Sequence, residues 1–329
     1  MVDTVITNAY LPAGPGTATM EFESLRDVVE MVSKEVTPYW SNLTKARATS
    51  MKEEWGTETL GTITAAPARS IGFVAAPTPV IANRRLDNYL ELMAEEGGVS
   101  DTMNALDAAD DTNTYSHQLL KKGVLMRRRV NKLMHTPQAK DSSMALPKLG
   151  TIHSYIGAAT FLGVAGTPGV PGAGTGADLP SAGTTPVDFN SITPIDTVLE
   201  ACFFYTGKPD TMYFSPRMKR LFSRLPDASI AENRQTATIG RTPYKHVGVV
   251  DSYLSDFGFM ECVVDIDCPN SDIKLLDHDY IDVPVLPGLD FDEKELGVKG
   301  SAKEFMIQLQ CTLRVTLPEA QGYINGYKT

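Results

Sequence analysis

The chain has 329 residues, 42% of them apolar and 21% charged, and a formal charge of −10. That length and balance are those of a folded soluble protein able to bury a large core. No apolar run approaches the ~20 residues that a bilayer-spanning helix requires, so no membrane association is expected. The opening MVDTVITNAYLPAG lacks the basic-then-apolar order of a secretory leader.

Residues 1–20 mix Gly, Pro, Thr and Ala and read as an extended arm. Phe22, Leu25, Val28, Val29 and Val32 follow at helical spacing, and Thr37-Pro38 is expected to end that helix, since a residue before proline disfavours the α region. Residues 43–82 read as strand and loop. Pro67, Pro77 and Pro79 rule out a long helix or a central strand there, which leaves a hairpin-like excursion. Such an arm buries little by itself and must rest on something else, a neighbouring subunit being the natural support. Residues 84–103 are ambiguous: Leu86, Tyr89, Leu90 and Met93 have helical spacing, while Gly97-Gly98 and Val99 suit a returning strand.

Residues 112–140 carry Lys121, Lys122, Arg127, Arg128, Arg129, Lys132 and Lys140 and no acid. This segment is +7 in a chain of −10, so the remainder carries −17. Tyr115, Leu119, Met126, Val130 and Leu133 form one apolar side, with Leu120, Val124 and Met134 beside them. Asp111, Thr112 and Asn113 offer capping oxygens, and Thr136-Pro137 closes the helix. A rod this basic needs an acidic neighbour, and three are conceivable. Nucleic acid is one, yet the acidic remainder would repel phosphate and no aromatics interleave the basic residues. A membrane surface is another, but the apolar side has no Trp or Phe anchor. Charge favours the third, acidic surfaces of sister subunits or of the same fold.

Residues 157–187 are rich in Gly, Ala, Thr and Pro and read as a loop or linker. A compact α/β region follows. Thr193-Pro194-Ile195-Asp196 starts a helix with Ile195, Val198, Leu199, Cys202 and Phe203 on its stripe, and Gly207 ends it. Thr211–Phe214 is a short strand, and Ser215-Pro216 opens a second helix bearing Met218, Leu221, Phe222 and Leu225. Residues 247–250, 257–266 and 274–276 read as strands. Phe305 to Val315 alternates over six apolar residues and is a further strand.

Phosphate-cradling, dinucleotide and nucleophile-elbow motifs are all absent, and the five histidines are scattered, so neither a cofactor nor catalysis is expected. Cys202, Cys262, Cys268 and Cys311 form no CxxC pair and read as buried hydrophobes in a reducing compartment. Asp277-His278-Asp279, close to Asp265 and Asp267, is the one cluster that suggests a divalent-metal enzyme. Adjacent strand residues point to opposite faces, so a surface turn is the preferred reading. Asp290, Asp292, Glu293 and Glu295 read as an acidic loop, without the glycine and closing glutamate of a calcium loop.

Three local patterns carry a resemblance. The first is Thr37-Pro38-Tyr39 leading to Glu54-Trp55-Gly56-Thr57-Glu58-Thr59-Leu60. The second is Gly98-Val99-Ser100-Asp101-Thr102 before the Met126-Arg127-Arg128-Arg129 run. The third is Asp256-Phe257-Gly258, Leu275-Leu276-Asp277 and Gly322-Tyr323-Ile324-Asn325-Gly326. In this order they resemble tailed-phage major capsid proteins of the HK97 fold, and more specifically the family typified by the phage SU10 major head protein. The resemblance spans nearly the whole chain, with the Gly-rich 164–185 stretch as a departure. It implies an α+β fold. Residues 1–48 would be the N-terminal arm and helix, and 49–103 the extended loop and return strand. Residues 104–189 would be a peripheral domain with its spine helix, 190–280 an axial domain, and 281–329 a return to the peripheral domain. It further implies hexamers and pentamers closing an icosahedral shell around double-stranded DNA, assembled in the host bacterial cytoplasm with a portal and scaffold or decoration proteins. Subunit-interface candidates are Trp55, Arg69, Phe73, Lys121, Lys122, Arg127, Arg128, Arg129 and Lys132. No Lys–Asn crosslink pair is identifiable.

Overall fold

The computed structural model describes residues 36–58, 71–74, 83–102, 114–143, 145–157, 161–163, 167–168, 179–181, 186–225, 251–298 and 300–328. The helix expected from Phe22 to Val32, the caps at 111–113, the prolines at 67, 77 and 79, Arg69 and the strand at 247–250 lie outside the described residues.

Thr37-Pro38 opens helix α1 (Pro38–Asn42), while the helix expected to end before it lies outside the described residues. The fixed φ of proline suits a first helical turn. Tyr39 and Trp40 on this turn are buried. Strands β1 (Thr44–Arg47), β2 (Lys52–Thr57), β3 (Arg84–Tyr89) and β4 (Glu91–Ser100) follow. The helical spacing within 84–93 is thus a coincidence of two strands. β4 runs antiparallel to a later strand from Glu91↔Cys311 to Ser100↔Ala302, and ten cross-strand pairs outweigh local preference. Gly97 is needed in that ladder, because a Cβ there would lie 2.4 Å from the Phe305 ring.

Next comes the long helix α2 (Thr114–His135). Met126, Val130 and Met134 are buried, Tyr115, Leu119 and Leu133 pack at its side, and Leu120 is exposed. Phe161–Gly163 forms β5, so the Gly-rich stretch is not loop throughout: it lends an edge strand parallel to Tyr323–Asn325. Helix α3 (Thr193–Phe204) buries Ile195, Val198, Leu199 and Cys202, whereas Phe203 is exposed rather than part of the stripe. It ends with Thr206 in the left-handed region at φ 69°. The role of Gly207 is close approach, since a Cβ there would sit 2.5 Å from the Ala320 Cα.

The remaining elements are β6 (Thr211–Phe214), α4 (Pro216–Phe222), β7 (Ser252–Ser255), β8 (Gly258–Val264), β9 (Ile273–Leu276), β10 (Ile281–Val285), β11 (Asp292–Val298), β12 (Ala302–Cys311), β13 (Arg314–Val315) and β14 (Gly322–Asn325). Ser215 caps α4 by accepting the Met218 N–H at 3.2 Å. The acidic stretch read as a loop is largely β11, paired with β12. Its polarity reflects a half-covered strand, while the apolar face belongs to β12. On β12 and beyond, Phe305, Ile307, Leu309, Cys311, Leu313 and Val315 are all buried.

Two sheets result. The first has the order β1-β10-β12-β11, with β4 beside β12 and β13 beside β10. The second runs β5-β14-β9-β6-β8-β7. Of its strands, β5 and β14 come from outside residues 190–280. Its strands alternate between two cores. Met212, Phe214, Ile273, Leu275 and Ile324 pack beneath α3 and α4. Tyr213, Leu276 and Tyr323 face the core shared with α1, α2 and the first sheet. A sheet covered on both faces needs nearly continuous apolar strands, and β6 and β9 are buried at every residue. Each fully buried Leu, Ile or Phe contributes about 1.5–3 kcal/mol.

Replacing Gly207 by Ala is expected to lower unfolding free energy by about 1–3 kcal/mol, because the contact is with backbone that cannot swing aside. The midpoint of a urea titration against wild type measures this.

Candidate functional site

The basic helix and the ground at its C-terminal end hold the charged chemistry of the chain. Lys122 and Arg129 lie one heptad apart on one side of α2, and both pair with the buried Glu95 of β4, Lys122 at 3.7 Å. Arg128 reaches Asp267 at 3.1 Å, and Lys140 reaches Asp87 at 2.7 Å. These four cations therefore find carboxylates in their own fold. Lys121, Arg127 and Lys132 stand exposed and make no ion pair among the described residues.

The last turns of α2 carry a polar cluster that the sequence reading missed. Asn131 and His135, four residues apart, are fully buried. Asn131 accepts the Trp40 N–H at 3.0 Å and donates to both oxygens of Asp265, the nearer at 2.9 Å. His135 Nε2 lies 3.0 Å from Asp265 Oδ2. On the other side of the ring, the Lys274 ammonium lies 2.9 Å from His135 Nδ1 and 3.1 Å from the His135 carbonyl. An ammonium can only donate, so Nδ1 accepts and Nε2–H donates to Asp265. The tautomer is fixed and the imidazole is neutral. Burial, then the Lys274 charge, lower the His135 pKa to about 4, against the opposing pull of Asp265. Burial raises the Asp265 carboxyl, yet the hydrogen bonds from His135, Asn131 and the Asp267 N–H outweigh it and hold it below its usual value. Burial also lowers Lys274. Tyr39 packs at a tilt against the His135 and Tyr213 rings, with centroids 4.9 and 5.0 Å away, and closes the cluster from α1.

This network joins the long helix to the loop after β8 and to β9 of the second sheet. The i, i+4 spacing of Asn131 and His135 on the apolar side of the helix, and a lysine inside the apolar run Ile273–Leu276, were the available signals. Nothing in sequence alone joins them across 130 residues or more.

The other expected site residues are distributed as follows. The Trp55 indole donates to the Val315 carbonyl at 2.8 Å and lies 5.8 Å from the Tyr155 ring, so it is turned into its own chain. Phe73 is exposed, beside the still more exposed Ile71 and Val74. Asp265 and Asp267 belong to the helix junction. Asp277 is buried rather than on a surface turn, and accepts the Lys208 and Asp279 N–H groups at 2.9 and 3.2 Å. The four carboxylates do not converge, and no group of three or more His, Cys, Asp or Glu able to hold a metal occurs among the described residues. All four cysteines are buried and free, and burial pushes their thiols up, to about 12 for Cys202 and Cys311 and about 11 for Cys262 and Cys268.

A chain with a long helix packed against two sheets, a strand pair with the exposed apolar Ile71, Phe73 and Val74 between its strands in sequence, and no assembled catalytic cluster among its described residues matches a known architecture. Residues 4–328 match the sequence model of the SU10 major capsid protein. The chain belongs to that family. Solved structures agree on the fold. The capsid subunit of cyanophage A-1(L) is 13% identical with a TM-score of 0.67, over 95% of this chain and 99% of that one. The Mycobacterium phage Bobi structure is 12% identical with a TM-score of 0.59, over 95% and 97%. The SrpI encapsulin of Synechococcus elongatus is 12% identical with a TM-score of 0.52, over 92% and 94%. No curated protein matches the sequence. The fold is that of HK97-type phage capsid proteins, and this SU10-family member is a shell-forming bacteriophage head protein, a virion component with a structural role.

The junction makes stability pH-dependent. An unfolded His takes up a proton near pH 6.5 and the folded His135 only near 4, so the unfolded state binds more protons between these values. Stability therefore falls on acidification through this window, by about 3 kcal/mol for a shift of this size. Unfolding titrations of wild type at pH 7 and pH 4.5 are expected to show this loss. In His135→Gln, which has no titrating ring, that part of the pH dependence is expected to vanish.

Proposed function

We propose that this head protein assembles as hexamers and pentamers into an icosahedral shell that encloses double-stranded DNA. In this reading the second sheet with α3 and α4 is the axial domain around the capsomer axes. The first sheet with α2 as its spine is the peripheral domain, and the segment between β2 and β3 is the extended loop that overlies the next subunit. The observation that carries it is the contrast within that hairpin. Its base is bound to its own body, by Trp55 and by an Arg84–Glu319 ion pair at 2.6 Å. Farther out, Ile71 and Val74 are almost wholly exposed. Apolar groups presented this way mark a surface meant to be covered.

The exposed Lys121, Arg127 and Lys132 are the members of the basic helix available to a neighbour, and the acidic surfaces of sister subunits suit them. The −17 borne by the rest of the chain fits a lining that does not grip phosphate, because cationic linings bind DNA through counterion release. Assembly in the host bacterial cytoplasm, with a portal and scaffold or decoration proteins as partners, completes the proposal.

Negative-stain microscopy and sedimentation of the purified protein are expected to show shells or capsomers. A strict monomer at high concentration, with no partner able to trigger assembly, contradicts the reading. Changing Lys121, Arg127 and Lys132 together to Ala is expected to abolish shells while leaving the melting temperature within a few degrees. DNA affinity at physiological salt should be negligible before and after. Retained assembly with lost DNA binding would instead favour a nucleic-acid role for the helix.

A further inference from the structure

The second sheet exposes two unlike apolar patches on opposite flanks. On the flank covered by α3, the helix ends in Phe203, Phe204 and Tyr205, which are 51%, 77% and 47% exposed. Phe203 lies 5.4 Å from the Phe257 ring in the turn between β7 and β8. On the other flank, Leu254 and Phe259 are 67% and 63% exposed and stand directly opposite each other in the β7–β8 ladder. Their neighbours Tyr253 and Met260 are buried beneath the helices. By strand alternation, Leu254 and Phe259 therefore face the reverse side.

Each patch borders a charge, and this pair of charges is opposite; the acidic Glu200 and Asp256 also stand exposed near the aromatic end of α3. Glu261, two residues after Phe259, shares its face of β8 and is exposed. Lys208, three residues after Tyr205, is exposed beside the aromatic end of α3. Neither makes an ion pair among the described residues.

A closed ring of identical subunits uses a heterologous contact, in which each copy offers one face forward and a different face back. A domain with one apolar patch on each flank, bordered by charges of opposite sign, has the form such a ring needs. We infer that the Phe203–Phe204–Tyr205 patch of one copy docks on the Leu254–Phe259 patch of the next, with Lys208 beside the neighbouring Glu261. The occupant is a second copy of this chain, and the contact closes the capsomer around its axis. This rests on the shell-forming reading above and names the surfaces that serve it.

The test starts from wild-type assemblies seen by electron microscopy. Lys208→Glu, Glu261→Lys and Phe204→Asp are each expected to cut capsomer and shell yield about tenfold or more, with thermal melts unchanged because all three positions are exposed. The double reversal Lys208→Glu with Glu261→Lys is expected to restore assembly. With the native thiols buried, shells of a Phe204→Cys/Leu254→Cys variant should oxidise to a ladder of covalent multimers on a non-reducing gel. Single reversals that assemble as well as wild type, a double reversal no better than either single, or oxidised shells that remain monomeric would overturn this contact. Wild-type protein that never assembles would instead fail the shell reading beneath it.

Discussion

A sheet covered on both faces must hide whatever its strands present inward, and β9 presents a lysine. Lys274 is wholly buried, and an isolated ammonium in such a place would cost several kcal/mol. The neutral ring of His135 relays between that ammonium and the Asp265 carboxylate, with Asn131 and Trp40 completing the set. All of these groups come from different parts of the chain: the first helical turn, the end of the long helix, the loop after β8 and the middle of β9. Docking the long helix against the second sheet and neutralising the buried lysine are therefore one event. An apolar contact of the same area would tolerate sliding; a directional network of this kind fixes angle and register together.

The fixed relation matters for a subunit that must tile a curved surface. The two cores meet at Tyr213, Leu276 and Tyr323, which belong to the second sheet yet pack with the first core. The two cores are in consequence packed into one body rather than joined by a linker. The basic helix contributes on both accounts. Lys122, Arg128 and Arg129 are engaged inside the subunit, while Lys121, Arg127 and Lys132 project from it.

Much of this was legible from the residues. The long helix was placed almost to its ends, because its apolar spacing and the Thr136-Pro137 stop are local signals. Strand Thr211–Phe214 and the Ser215 cap were likewise local. The errors share a cause, which is non-local pairing. β11 is acidic because only its partner strand carries the apolar face, so its sequence resembles a loop. Phe161–Gly163 is three residues long and becomes a strand only through the late segment Tyr323–Asn325. The helical spacing across 84–93 came from two strands placed end to end. His135 is a histidine on an apolar stripe, with nothing nearby to reveal the lysine 139 positions away. Ordered resemblance succeeded where single motifs were weak, because the sequence of elements is itself a record of topology.

Two points of the Gly-rich stretch are tied to each other. Thr167 and Ser181 exchange backbone hydrogen bonds at 3.1 and 2.9 Å, and β5 and the Val187–Tyr327 bridge anchor the chain on either side. With the entry and exit points held side by side, the length of chain between them is thermodynamically cheap to change: each doubling adds only about 0.6 kcal/mol of closure entropy. A change in the number of residues between Thr167 and Ser181 therefore leaves both anchoring points, and the strand β5 before them, where they are.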